Sequence, residues 1–176
     1  MYVKPGRTYP SLPESLREQL KAIASTKDEF GLEYFPVRAN LSDGRVLDRV
    51  YIVEAEKFLQ VWGIAPEHDR GKSALRIEDI AAVDESPCRL PPEIANKIYK
   101  AGESGMGYTV FTLFFSDGSK QAYLTGNAVD FVAYPPGKTL RDVVEVKPHA
   151  GRHDSPVNGP NYYWALFSTL RPSSSQ

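Results

Sequence analysis

The alternation of apolar and polar positions is sharpest over Tyr108–Leu124. A run rich in β-branched and aromatic residues, Tyr-Thr-Val-Phe-Thr-Leu-Phe-Phe, leads into Ser-Asp-Gly-Ser and then Lys-Gln-Ala-Tyr-Leu. Asp117-Gly118 lies between the two runs, and this dipeptide tolerates the positive φ angles of a tight hairpin turn. The pattern predicts a β-hairpin at the centre of an antiparallel sheet. A second pair of runs, Glu33–Asn40 and Val46–Glu54, flanks the turn Leu41-Ser42-Asp43-Gly44-Arg45. Val46–Glu54 starts with polar residues and ends in the apolar stretch Val50-Tyr51-Ile52-Val53, which predicts burial on both faces there. Pro36 has no ladder donor, so the first run is expected to be an edge strand or bulged.

Helical spacing is clearest at Leu12, Leu16, Leu20 and Ile23, which predicts a helix from about Pro13 to Ala24. Ser11 and Glu14 before it have the spacing of a capping box. Pro91-Pro92 opens a second helix and Gly102 closes it, with Ile94, Ile98 and Ala101 toward the core. Ala55–Trp62 fits a helical period but has strand-like content, and both readings stay open. Ile64–Ser73, with Pro66 and Gly71, reads as a loop. Asn127–Tyr134, Leu140–Val146 and Tyr162–Leu170 have the content of further strands. Residues 1–10 read as an N-terminal arm and 171–176 as a disordered tail, leaving 11–170 as one domain. This order lacks the alternation that builds a parallel α/β sheet. It predicts a single α+β domain with a curved antiparallel sheet or partial barrel of about six strands and two helices.

Composition narrows the class of partner. The 176 residues include 21 basic and 22 acidic side chains, so no global field steers the chain onto nucleic acid or an anionic membrane. Cys88 is the single cysteine, which excludes an internal disulfide and multi-cysteine zinc sites. No stretch approaches the roughly 20 apolar residues of a membrane span, and the N-terminus lacks a secretory apolar core. A cytoplasmic protein is the expectation.

Candidate chemistry is sparse. Gly71-Lys72-Ser73 resembles the end of a phosphate-binding loop, but Pro66 stands where its first glycine belongs. Gly102–Gly107 carries three glycines between a helix and a strand. They first serve as a helix cap and sheet entry, yet they also let backbone amides approach an anion, with Glu103, Ser104 and Gly105 at a pocket rim. His149, His153 and Asp154 are the candidate metal or acid–base group, although Pro148 and Gly151 deny the two histidines helical alignment. No Gly-x-Ser-x-Gly elbow exists. Tyr162, Tyr163 and Trp164 form the densest aromatic cluster outside the hairpin. Large aromatics usually fill cores, whereas exposed ones favour protein interfaces.

The reading that follows is a non-catalytic binding module. It would act through its antiparallel sheet, the Gly102–Gly107 loop and the aromatic C-terminal segment, on a protein or a small molecule. No cofactor, nucleic acid or membrane is called for. The alternative is an enzyme or metal-binding domain assembled around His149, His153 and Asp154. Self-association through the edge strand carrying Pro36 would make a homodimer.

Overall fold

In the computed structural model, residues 9–63 and 73–170 are described. The tail 171–176, nearly all of the expected loop Ile64–Ser73 and most of the N-terminal arm lie outside them. Among the described residues the fold is α+β, with two mixed sheets and three α-helices, α1 (Glu14–Leu20), α2 (Ala55–Trp62) and α3 (Pro92–Ala101).

The apolar stretch Val50–Val53 sets the architecture. It belongs to β3 (Val46–Glu54), which pairs antiparallel with β2 (Glu33–Leu41). All four of its side chains are buried. Val50 and Ile52 face one core, which Leu16 and Leu20 of α1, with Leu12 before it and Ile23 after it, share with Val37, Ala39 and Ala165. Tyr51 and Val53 face the other, with Ile94, Ala95, Ile98 and Tyr99 of α3 and aromatics of the second sheet. Period-two alternation explains why neighbouring residues of one strand serve two cores.

The first sheet also holds β1 (Thr26–Lys27), β4 (Ser73–Leu75), β5 (Ile80–Glu85) and β10 (Tyr163–Phe167). The second runs β8 (Val143–Pro148), β6 (Thr109–Phe115), β7 (Lys120–Thr125), β9 (Val157–Asn158). The Asp117-Gly118 hairpin forms as expected: β6 and β7 pair antiparallel, and Gly118 takes φ 87°.

The expected antiparallel sheet forms in part, since β1–β2, β2–β3, β2–β5, β6–β7 and β6–β8 all pair antiparallel, but the partial barrel is corrected. β10 runs parallel to both β3 and β4, β9 runs parallel to β7, and neither sheet closes. Parallel neighbours need a long crossover, and here α3 and the second sheet intervene in the chain between β3 and β10. Apolar spacing reports which face a side chain takes, not the direction of the neighbouring strand. The two expected helices become three because Ala55–Trp62 is helical, closed by Gly63 at φ 72°.

Other expectations change locally. β2 is interior, with β3 along one side and β1 followed by β5 along the other. Pro36 falls between the β1 ladder, which ends at Tyr34, and the β5 ladder, which starts at Val37, so its missing donor breaks no bond there. A register shift follows between Val37 and Ala39, so the bulge forms while the edge position does not. The homodimer contact expected there has no free edge. The capping box is not used: Pro13 is the N-cap of α1, and Ser11 bridges to Ser168. Ala101 is exposed at the end of α3, and Ala95 and Tyr99 take the inward positions. Asn127–Tyr134 forms no strand. Its middle, Ala128–Val132, is buried and bridges to Arg89 at Phe131, while Asn127 and Ala133 are exposed. Among the described residues, no helix is long and apolar enough to cross a membrane.

Candidate functional site

The turn before β2 begins the site. Asp28 is followed by Glu29, Phe30 and Gly31, and its Oδ1 accepts the amides of Phe30 at 2.9 Å and Leu32 at 3.0 Å. This side-chain mimic of a turn, with Gly31 at φ 82°, leaves Phe30 outermost and 63% exposed. Asp28 Oδ2 accepts the Tyr34 hydroxyl at 2.8 Å, and Trp62 Nε1 donates to the same hydroxyl at 3.3 Å. One aspartate thus ties the turn to β2 and to the end of α2.

Between this turn, the last turn of α2 and the end of α3 lies a cavity of about 250 Å³. Its apolar walls are Phe30, Tyr34, Trp62 and Tyr99, with Ile98 and Val129. The rings of Tyr34 and Tyr99 stack with centroids 5.4 Å apart and planes 8° from parallel. Asp28, Glu29 and Glu103 supply its carboxylates, and Asn127 and Thr109 complete the polar lining. Gly102, at φ 78°, turns the chain from α3 toward Glu103, a conformation that glycine adopts at little cost.

A buried polar network supports the wall from behind. The Asp130 carboxylate is fully buried, accepting the Thr26 hydroxyl at 2.7 Å and the Tyr99 hydroxyl. Its own amide donates to the Tyr51 oxygen at 2.9 Å, and the Val129 amide donates to the Tyr99 oxygen at 3.1 Å. Burial raises the Asp130 carboxyl above its ordinary range, opposed by the Tyr99 and Thr26 hydroxyls and by the charge of Arg89. Burial and the Asp130 charge raise Tyr51 and Tyr99 well above the ordinary phenol range. Burial, reinforced by Asp28, does the same for Tyr34. These phenols therefore stay neutral donors. Arg89 is itself buried, with Nε donating to the Leu90 carbonyl at 3.3 Å and Nη1 3.7 Å from Glu85.

The residues singled out in the sequence take distinct positions. Glu103 lines the cavity, and its Oε2 accepts the Gly107 amide at 3.1 Å. Ser104 does not line it. Its hydroxyl oxygen accepts the Val110 amide at 2.9 Å and lies 2.8 Å from His149 Nδ1. His149 Nε2 is 3.1 Å from the Ala101 carbonyl, which can only accept, so Nε2 carries a proton, and in the neutral imidazole Nδ1 is an acceptor for the Ser104 hydroxyl. The link clips the loop to the end of α3 and holds His149 at φ 66°, an uncommon backbone for a non-glycine residue. A Cβ on Gly105 would sit 2.3 Å from the Tyr108 ring, so any other residue here must displace that ring. Arg152 donates to the Ser104 carbonyl at 3.2 Å and covers Tyr108.

His153 and Asp154 are exposed. Among the described residues, no three His, Cys, Asp or Glu side chains could hold a metal, so the structure does not bring His149, His153 and Asp154 together as a ligand set. Tyr162 and Trp164 are buried in the aromatic core, and Tyr163 is half-buried against the opposite one. Trp164 still bears on the cavity: its ring meets Trp62 at 5.3 Å and Tyr34 at 6.0 Å, bracing two wall residues from inside.

Sequence reasoning missed Asp28, Tyr34, Trp62, Tyr99 and Asp130. Asp130 had a readable signal, a lone charge inside the apolar run Ala128–Val132. Asp28 had another, as the start of an Asp-x-x-Gly turn ahead of a strand. Comparison with protein-family models, with curated proteins and with solved structures finds no match to this chain, so the site is read from its own geometry.

Proposed function

We infer that the chain is a non-catalytic, cytoplasmic binding module that holds a small molecule in the cavity between the Asp28–Gly31 turn, α2 and α3. One observation carries this reading: aromatic walls and convergent polar groups share a single concave site, as in small-molecule pockets. At about 250 Å³ the cavity suits a compact ligand. The Gly102–Gly107 loop contributes through Glu103, and the aromatic C-terminal strand contributes through Trp164 as a brace. Amide shift mapping with the matched trio benzylamine, benzyl alcohol and benzoate tests the reading. It expects at least one to shift Phe30, the Trp62 indole, Glu103 and Asn127 together. Shifts confined to other surfaces, or none with any of the three, would remove it.

A second reading is favoured by the contact between Ser104 and His149. A hydroxyl on an imidazole whose far nitrogen is oriented by a carbonyl has the connectivity of a nucleophile, base and orienting group. Against it, the Val110 amide already occupies the hydroxyl oxygen, and the ligand cavity does not open onto it. Fluorophosphonate labelling that disappears in Ser104→Ala would establish this alternative; an unlabelled wild type would dismiss it.

A further inference from the structure

The cavity's charge is one-sided. Among the described residues, Asp28, Glu29 and Glu103 line it, and no lysine, arginine or histidine does. Among the described residues, none of these three carboxylates is within ion-pair distance of a basic side chain. Asp28 is satisfied by two amides and a phenol, and Glu103 by one amide, all neutral donors. Three negative groups around an apolar hollow give an inward potential that only a cation relieves.

The aromatic walls point to the kind of cation. Ring faces attract positive charge through their quadrupoles, and the effect grows where water is excluded. Trp62, the best ring type for this, lines the cavity with Tyr34 and Tyr99, while Phe30 stands at its mouth, mostly exposed. The phenols remain neutral, so they add no charge of their own. A small hard metal ion would instead need a shell of oxygen ligands. No such group of three exists among the described residues. A diffuse, partly apolar cation satisfies both halves of the lining.

Resting on the binding-module reading above, we propose that this cavity takes a small organic ammonium ion, its alkylated nitrogen against Trp62 and Tyr34 and its charge answered by Glu29 and Glu103. The free small molecule is the occupant, because the cavity is compact and bounded by the Asp28–Gly31 turn and Glu103.

The test uses the full chain and two probes of nearly equal shape, choline and its uncharged isostere 3,3-dimethylbutan-1-ol, with titration calorimetry and amide shift mapping. Choline is expected to bind roughly tenfold or more tightly than the isostere, as a desolvated cation–π contact plus two carboxylates would give. Its affinity should fall as salt rises, and Glu29→Gln and Glu103→Gln should each weaken it about threefold, in keeping with exposed charges. Both substitutions lie on exposed side chains, so folding is retained, and unchanged circular dichroism checks this. Equal affinity for the two probes overturns the ammonium proposal and leaves the cavity reading standing. Shifts by benzoate or benzyl alcohol at the cavity, with none by choline or benzylamine, do the same. No cavity shift with any probe overturns both. Dioleoylphosphatidylcholine vesicles and a trimethyl-lysine peptide, at equal head-group concentration, address the source: tighter binding than choline overturns the free small molecule as occupant.

Discussion

Replacing Asp130 by alanine probes the support behind the cavity wall. The carboxylate is fully buried and accepts the hydroxyls of Thr26 and Tyr99, which are buried too. Alanine leaves both hydroxyls without their acceptor, at about 1–3 kcal/mol each, and strips Arg89 of a nearby opposite charge. Removing a desolvated carboxyl returns part of that loss. The net expectation is a destabilisation of about 3 kcal/mol, or roughly 6–12 °C in melting temperature for a chain of this length. The pH dependence carries a sign. Because the folded pKa is raised, the native state holds a proton that the unfolded chain releases above its ordinary value of 3.8. Wild-type stability contributed by this group therefore falls as pH rises from that value through the raised one, then levels off. Urea unfolding of wild type and Asp130→Ala across this window gives a difference that shrinks with rising pH. A variant within about 0.5 kcal/mol of wild type, or a difference that ignores pH, would refute the reasoning.

Other expectations follow from the same packing. Leu16→Ala empties a buried position under α1 and should cost about 2–5 kcal/mol in chemical denaturation, without moving the cavity resonances. Gly105→Ala forces the Tyr108 ring aside, since the new Cβ would lie 2.3 Å from it; a loss of about 1–3 kcal/mol in thermal unfolding is expected. Lys138 and the Ser119 hydroxyl and amide hold the exposed Asp117 carboxyl well below the usual range. Its stabilising contribution is therefore present above its ordinary pKa of 3.8 and lost as pH falls through the lowered one. Carboxyl NMR titration should show that low midpoint in wild type and a return toward the ordinary one in Lys138→Met.

The hairpin around Asp117-Gly118 and the closing of α3 at Gly102 were legible because local chemistry decides them: a turn and a helix end that both need a glycine at positive φ. The two-faced burial of Val50–Val53 was legible from its unbroken apolar run. The partners of β10 were not, because a parallel neighbour across a long crossover leaves no local trace. Tyr162 and Trp164 illustrate the limit for site reading. Their aromatic density was plain, but whether it faced water or core depended on which strands flanked β10. The cavity escaped for a similar reason. Asp28, Trp62, Tyr99 and Glu103 come from four separate segments, and no spacing in the sequence links them. Glu103 was found only because the glycines beside it marked a loop.

The most direct test of the account is a crystal structure of the full chain grown with benzylamine. The account predicts density in the Asp28–Glu103 cavity, with the ring against Trp62 and Tyr34 and the ammonium within hydrogen-bond reach of Glu29 or Glu103. Density instead in a separate cavity, beside Tyr108, Leu124 and Asn158, or an empty Asp28–Glu103 cavity at saturating benzylamine, would contradict it.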